Sequence, residues 1–174
     1  MRKVVYGGAC SLDGFLADAA GQVDWLHFSK DVEAIMAKSW ATTDTVLFGR
    51  KTWQVAQAMG GGLPGLEVKG YVFSRTLTSL SGAAAELVSE DAGTFVRALK
   101  QQPGKDMIVM SGGNLARSLF QAGVIDEVGF DIHPILLGSG VPAFVDAGVR
   151  IALELVECRA LEGGCVLVNY RVKS

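Results

Sequence analysis

Three short apolar runs of the chain each end in glycine or serine and are followed by basic or amide residues. The runs occupy 45–48, 68–73 and 106–110, and the turns after them are Gly49-Arg50-Lys51-Thr52, Ser74-Arg75-Thr76 and Ser111-Gly112-Gly113-Asn114. Apolar, β-branched runs of this length are typical of strands buried in a parallel sheet. Ligands of open parallel sheets bind beyond the carboxyl ends of the strands. The pattern therefore predicts an α/β fold in which the three turns meet at one ligand cleft.

The remaining segments predict the rest of that sheet and its helices. Further strands are expected at 3–10, 86–88 and 127–132, and helices at 31–43, 50–59, 91–102 and from Asn114 onwards. In the first helix one face carries Val32, Ile35, Met36, Ser39 and Trp40. Strands at 151–158 and 165–172, joined across Glu162-Gly163-Gly164, predict a C-terminal antiparallel hairpin. The glycine-rich segment 60–65 predicts a flexible loop.

Composition restricts the class of protein. The chain has 174 residues, 49% hydrophobic and 20% charged, which predicts a single folded domain over 1–174. A formal net charge of -2 argues against nucleic acid or an anionic membrane as the main partner. The sequence shows no secretory signal and no apolar stretch near the roughly 18–20 residues of a membrane span. Three scattered cysteines and two isolated histidines form no metal or disulfide pattern, so we expect a cytoplasmic protein without a metal.

The turns after the three strands have the chemistry of a phosphate site. A helix N-terminus offers free N–H groups and a partial positive charge, and glycine allows a ligand to approach the backbone. Arg50, Lys51 and Arg75 add positive charge, and Arg75 has the forked geometry that suits a phosphate. The alternative is that each glycine only makes a tight connection and each basic side chain only faces water.

The motifs also resemble a known superfamily. Gly49-Arg50-Lys51-Thr52 resembles the G-R-x-T signature of dihydrofolate reductases, and Ser111-Gly112-Gly113 resembles the family's later glycine pair. The segments 11–17, 125–127 and 134–140 are similar to the reductase domain of bacterial riboflavin biosynthesis. The resemblance extends from Lys3 to Val172. It implies a dihydrofolate-reductase-like, three-layer α/β fold with a mainly parallel mixed sheet, flanked by helices and completed by the antiparallel hairpin.

The resemblance implies NADPH as the cofactor. Gly49 to Thr52 would bind its phosphates, and Ser74 with Arg75 would bind the ribose and the 2′-phosphate. The family commonly has a cis peptide between Gly112 and Gly113. The full set that the resemblance assigns to the cofactor is Ala9, Cys10, Leu16, Gly49, Arg50, Lys51, Thr52, Ser74, Arg75, Thr76, Ser111, Gly112, Gly113, Asn114 and Leu115.

Two carboxylates are candidate catalytic residues. Dihydrofolate reductases carry an acid in the helix before G-R-x-T, and Glu33 occupies a similar place. Buried at a pocket wall, Glu33 would hydrogen-bond a pterin-like ring; alternatively it is an ordinary carboxylate of a first helical turn. Asp31 has the stronger claim to be the helix cap. Asp13 either faces substrate or hydrogen-bonds the backbone of its own loop. Trp25, Phe28 and Trp40 are expected to pack in the core.

The leading hypothesis is an NADPH-dependent reductase that transfers hydride to a small heterocyclic or carbonyl substrate, pterin-like or ribityl-pyrimidine-like. The alternative is an NADPH-binding sensor or scaffold without turnover, because the sequence does not single out the proton donor. Relatives in the riboflavin branch often pair, so a homodimer is expected, with the apolar C-terminal strands as its surface.

Overall fold

The computed structural model describes residues 1–60, 67–80 and 85–173. The helices are α1 (Lys30–Thr42), α2 (Arg50–Ala58), α3 (Ala92–Lys100) and α4 (Gly113–Gln121), with a 3-10 turn at Glu162–Gly164. The strands are β1 (Val4–Ser11), β2 (Phe15–Ala17), β3 (Thr43–Gly49), β4 (Lys69–Phe73), β5 (Ala85–Val88), β6 (Asp106–Met110), β7 (Glu127–His133), β8 (Val141–Pro142), β9 (Leu153–Ala160) and β10 (Val166–Val172). The loop predicted at 60–65 lies, apart from Gly60, outside the described residues.

Eight of these strands form one mixed sheet in the order β5-β4-β3-β6-β1-β7-β10-β9. All neighbours from β5 to β7 are parallel, whereas β10 runs antiparallel to both β7 and β9. The predicted α/β sheet and its C-terminal hairpin are therefore confirmed. The sheet places β1, the first strand of the chain, at its centre, between β6 and β7.

The helices cover the two faces of the sheet unequally. On one face, α3 and α4 pack Val96, Leu99, Ala116 and Leu119 onto fully buried residues of β1 and β6. On the other face, α1 lies over β10 and α2 lies over β3 and β4. We call these the α3/α4 face and the α1/α2 face. Trp40 of α1 packs against the cluster that includes Trp53 of α2, but residues of β1 and β6 on this face are only partly buried, so a gap remains above these two strands.

Helix α1 is less buried than its apolar pattern predicts. Val32 is buried, but Met36 is 45% exposed and Ser39 is also exposed. Val32 and Ile35 pack with Leu167 of β10, and Trp40 packs against the cluster of β3, β4 and α2, so Met36 and Ser39 lie exposed between these two contacts. The cap is Ser29, whose hydroxyl accepts from the Val32 amide at 3.3 Å. Asp31 accepts from the Glu162 amide instead, so the expectation that Asp31 caps this helix is wrong.

A second, two-stranded sheet pairs β2 with β8. The sequence predicted only loops there, because strands of two or three residues carry no readable periodicity. Within residues 1–60, 67–80 and 85–173, no helix is long and apolar enough to cross a membrane. Cys10, Cys158 and Cys165 are free thiols.

Candidate functional site

The three predicted turns lie side by side at the carboxyl edge of the sheet. They follow β4, β3 and β6, which are adjacent strands. Gly49 stands beside Phe73, and the residue before it pairs with Met110. A Cβ atom on Gly49 would lie 2.7 Å from the Ser111 Oγ, closer than atoms in contact allow. The first and third turns therefore touch each other, and a Cβ atom at position 49 would displace the Ser111 hydroxyl.

Two helices begin at this edge without a side-chain cap. Gly49 is the N-cap of α2 and Gly112 is the N-cap of α4, and neither offers a side-chain acceptor. The other two helices, α1 and α3, are capped by Ser29 and Asp91. Uncapped first-turn N–H groups can hydrogen-bond an anion, and the helix dipole favours it. Arg50 and Lys51, in the first turn of α2, are exposed.

The middle turn presents an ordered serine and an exposed arginine. The Ser74 hydroxyl is buried and accepts from the amides of Thr76 and Leu77, at 3.2 and 3.0 Å. This arrangement fixes the path of the turn after β4. Arg75 is exposed, so its guanidinium group is available to a ligand. The pKa of Asp91, the cap of α3, lies below its ordinary value. The amide and hydroxyl of Thr94 lower it most, and the charges of Arg97 and Arg75 lower it further.

The glycine pair after β6 also has a packing role. A Cβ atom on Gly113 would lie 2.9 Å from Val145 Cγ1 and 3.2 Å from the Ala143 carbonyl oxygen. Gly113 thus lets α4 contact the segment that follows β8. Asn114 is exposed, and Leu115 packs against the core. The Gly112–Gly113 peptide is trans, unlike the cis bond that the resemblance implies.

The gap between α1 and α2 is the second part of the site. Residues of β1 and β6 that face α3 and α4, such as Tyr6 and Val109, are completely buried. Their neighbours on the α1/α2 face are only partly buried, and they are Val5, Gly7, Ala9, Ile108 and Met110. Small side chains on β1 therefore form the floor of a cleft that reaches the carboxyl edge. Ala9 belongs to this floor, whereas Cys10 faces the core under α3 and α4. Burial raises the pKa of the Cys10 thiol to about 11.

Two loops close over the ends of the strands and are tied together. The Asp13 carboxylate accepts from the Ser11 hydroxyl and from the amides of Leu137 and Gly138. Pairing of β2 with β8 adds a second tie. Leu16, in the middle of β2, packs against the main core. We call segments 11–28 and 134–145 the paired loops.

The two candidate acids are placed differently from the sequence expectation. Glu33 is exposed in the first turn of α1, so the burial that its catalytic role assumed is not observed. Asp13 binds the backbone of the facing loop rather than that of its own loop. Both residues stay predictions as catalytic groups.

Of the three aromatic residues expected in the core, Phe28 is 66% exposed, so that expectation is wrong for Phe28, which precedes the cap of α1.

A further polar cluster lies at the end of β7, and sequence reasoning missed it. His133 is buried, with Nε2 3.0 Å from Asp131 Oδ2 and Nδ1 3.4 Å from Cys165 Sγ. The Trp25 ring meets the His133 ring edge-on, with centroids 5.5 Å apart. The signal was the D-x-H spacing, which puts both side chains on one face of a strand. No group of three or more potential ligands in the described part of the chain is arranged to hold a metal ion.

The family model for the RibD C-terminal domain matches residues 2–167. The chain belongs to this family. Two uncharacterised proteins of Bacillus subtilis are similar to this RibD C-terminal domain along their whole lengths. YyaP is 31% identical over 183 residues, which cover 97% of this chain and 94% of YyaP. YwjB is 31% identical over 170 residues, with 97% of both chains covered.

Solved structures show the same fold. A putative riboflavin biosynthesis protein from Shewanella sp. PV-4 superposes with a TM-score of 0.88 at 23% identity and full coverage of both chains. Enterococcus faecalis dihydrofolate reductase, complexed with NADP(H) and RAB-propyl, superposes with a TM-score of 0.73 at 13% identity, covering 99% of this chain and 97% of the reductase. The predicted dihydrofolate-reductase-like fold is thereby confirmed for this RibD C-terminal domain.

Proposed function

We propose that this protein is an NADPH-dependent reductase of a small heterocyclic or carbonyl substrate. The observation that carries the proposal is the convergence of two uncapped helix N-termini with Arg75 at one edge of the sheet. Membership of the RibD C-terminal domain family supports a reductase-type function. The fold shared with a dihydrofolate reductase complexed with NADP(H) supports the choice of cofactor.

The residues at this edge fit a dinucleotide phosphate. The first-turn amides of α2 and α4 would bind phosphate oxygens, with Arg50 and Lys51 supplying positive charge. Arg75 would bind a 2′-phosphate beside Ser74. Ala9, on the floor of the cleft, would lie against the nicotinamide. When bound, NADPH supplies a hydride, and the protein aligns the acceptor and excludes water.

The cofactor assignment is tested by the choice between NADPH and NADH. The Arg75→Gln variant loses charge-assisted hydrogen bonds to the 2′-phosphate, so its affinity for NADPH should fall about tenfold or more. Its affinity for NADH, which lacks that phosphate, should change little. Isothermal titration of both nucleotides measures the two effects. Arg171→Gln, at an exposed arginine of β10, is the matched control. Equal losses for both nucleotides, or no binding of NADPH to the unaltered protein at millimolar concentration, would contradict the assignment.

A second candidate function is an NADPH-binding sensor or scaffold without turnover. The observation that favours it is that Glu33 is exposed and the Asp13 carboxylate is occupied by backbone amides. Neither group stands in the cleft as a ready acid. NADPH oxidation followed at 340 nm with dihydropterins, imines and aldehydes separates the functions, because a sensor binds NADPH but oxidises it with none of them.

We also propose that the protein forms a homodimer through β9 and β10. Leu155 is 56% exposed, Leu153 is 39% exposed, and both lie on the α3/α4 face beside Tyr170 and Val172. Among the described residues, no helix covers β9 on that face. An exposed apolar edge strand favours association with a second sheet.

The single-domain organisation, the cytoplasmic location and the expectation of no metal stay predictions.

A further inference from the structure

We propose that Asp131, held in position by His133, binds an N–H group of the substrate in the cleft. This inference rests on the proposed reductase function, because it names the chemical class that the cleft accepts. That class is a heterocycle with amino or amidine-type N–H donors along one edge.

Asp131 lies on the face of β7 that borders the cleft. It pairs with Ala9 of β1 and with Leu167 of β10, and paired residues of a sheet point to the same face. Because Ala9 belongs to the cleft floor and Leu167 packs under α1, Asp131 stands where the floor meets α1. Only β1 separates its strand from β6, whose end carries Ser111. Asp131 is therefore at the wall of the cleft, on the side of α1.

Contacts at both ring nitrogens orient His133. The backbone N–H of His27 donates to His133 Nδ1 at 3.3 Å, and an amide N–H cannot accept. Nδ1 must therefore carry the lone pair, and the proton of the neutral imidazole is on Nε2. That proton points at Asp131 Oδ2, 3.0 Å away. His133 thus fixes one oxygen of the carboxylate through a single tautomer.

His133 leaves the other carboxylate oxygen of Asp131, Oδ1, uncontacted. Within residues 1–60, 67–80 and 85–173, Asp131 Oδ1 makes no hydrogen bond and Asp131 pairs with no lysine or arginine. The Asp131 side chain is only 14% exposed. Every completely buried side-chain oxygen or nitrogen of the described residues has a hydrogen-bond partner, so Oδ1, which has none among them, is not completely buried. Oδ1 is therefore open to the cleft. A carboxylate with so little contact with water gains most from a ligand that donates N–H groups to it.

The probes are a matched pair of pyrimidines. In 2,4-diaminopyrimidine the groups at positions 2 and 4 donate, whereas 2,4-dimethoxypyrimidine has no N–H group and can only accept. The unaltered full chain should bind 2,4-diaminopyrimidine about tenfold or more tightly than 2,4-dimethoxypyrimidine, because only the amino groups can donate to a carboxylate. Asp131→Asn should abolish that preference. Asp24→Asn, which removes an exposed carboxylate elsewhere in the paired loops, should keep it.

The readouts separate this role from a structural one. If the Asp131–His133 pair only stabilised the paired loops, Asp131→Asn would weaken both probes equally or lower the thermal midpoint without changing their ratio. Long-range ¹⁵N–¹H spectra of the unaltered protein should show His133 protonated at Nε2 and should shift when 2,4-diaminopyrimidine is added. An unchanged preference in Asp131→Asn, no binding of either probe at millimolar concentration, or a proton on Nδ1 would overturn the proposal.

Its failure is distinguishable from failure of the proposed function. NADPH titration of the same samples tests the cofactor site independently, since Asp131 is not part of the phosphate-binding turns. Normal NADPH binding with no diaminopyrimidine preference would reject Asp131 and retain the reductase proposal. A preference that depends on Asp131 without NADPH binding would retain this pocket and reject the cofactor.

Discussion

The contact between Gly49 and Ser111 joins two turns that lie 62 positions apart in the sequence. The two residues meet because β3 and β6 are parallel neighbours that end at the same level. Gly49 has φ of -74°, so its backbone is open to any residue type. The requirement for glycine is therefore the space that the serine hydroxyl occupies. A single methyl group tests it.

We predict that Gly49→Ala lowers the free energy of unfolding by about 1–3 kcal/mol, the usual cost of overpacking. The Ser111→Ala change removes the obstructing hydroxyl, so Gly49→Ala with Ser111→Ala should be less destabilised than the sum of the two single changes. Urea unfolding of all four proteins completes the cycle. Additive effects would show that the two turns do not press on each other.

The glycine turns and the Asp131–His133 pair differ in how much the local sequence reveals about them. The glycine and hydroxyl turns were predictable, because each follows an apolar run whose meaning is local. The role of Asp131 and His133 was not predictable, because the spacing of two polar residues on a strand indicates only that they share a face. Their meaning depends on Ala9, His27 and Cys165, which the fold brings to them from elsewhere in the chain.

At the scale of elements, the long strands and helices were predictable to within a few residues. The 106–110 strand has the predicted bounds, and Asp91 caps α3 as expected, its carboxylate accepting from the Thr94 amide at 2.8 Å. The strands β2 and β8 were missed because their pairing depends on long-range contacts between the paired loops. The exposure of Met36 was not predictable, since an apolar face of a helix does not reveal which of its residues meet a partner strand.

The tie between the paired loops should depend on both oxygens of Asp13. Oδ1 accepts from Leu137 and Oδ2 from Gly138, so an amide in place of the carboxylate can accept only one of these bonds. We predict that Asp13→Asn releases one of the two amides, seen as an upfield shift of that amide proton in ¹⁵N–¹H spectra. Leu137 and Gly138 shifts that match those of the unaltered protein would contradict this.

Acid should loosen the same tie in the unaltered protein. The Ser11 hydroxyl and the Gly138 amide hold the pKa of the Asp13 carboxyl below its usual 3.8. A depressed pKa means that the stabilisation is complete above about pH 4 and is lost as the pH falls through the lowered value. The Leu137 and Gly138 amide signals should therefore titrate below pH 4, and in Asp13→Asn they should not.

At the scale of the whole molecule, the β9 edge of the sheet is the exposed one, since nearly every residue of β9 is exposed. Leu155 and Val55 are equally exposed, at 56% each, but Leu155 lies on the uncovered strand face and Val55 on the outside of α2. We predict that Leu155→Lys converts the proposed dimer to a monomer in light scattering at micromolar concentration, while Val55→Lys leaves the mass unchanged. A monomeric mass for the unaltered protein would reject the dimer.

The central position of β1 has a consequence for how the protein is made. This strand leaves the ribosome before its two neighbours exist, and Lys3 hydrogen-bonds Asp106, 103 positions later. The cleft floor therefore cannot form until β6 and β7 have been synthesised. Until then, the apolar strand β1 has no partner strands. An unpaired apolar strand favours association with other chains or binding by chaperones. Slowing translation before β6 would lengthen that exposure, whereas slowing it after β7 would not.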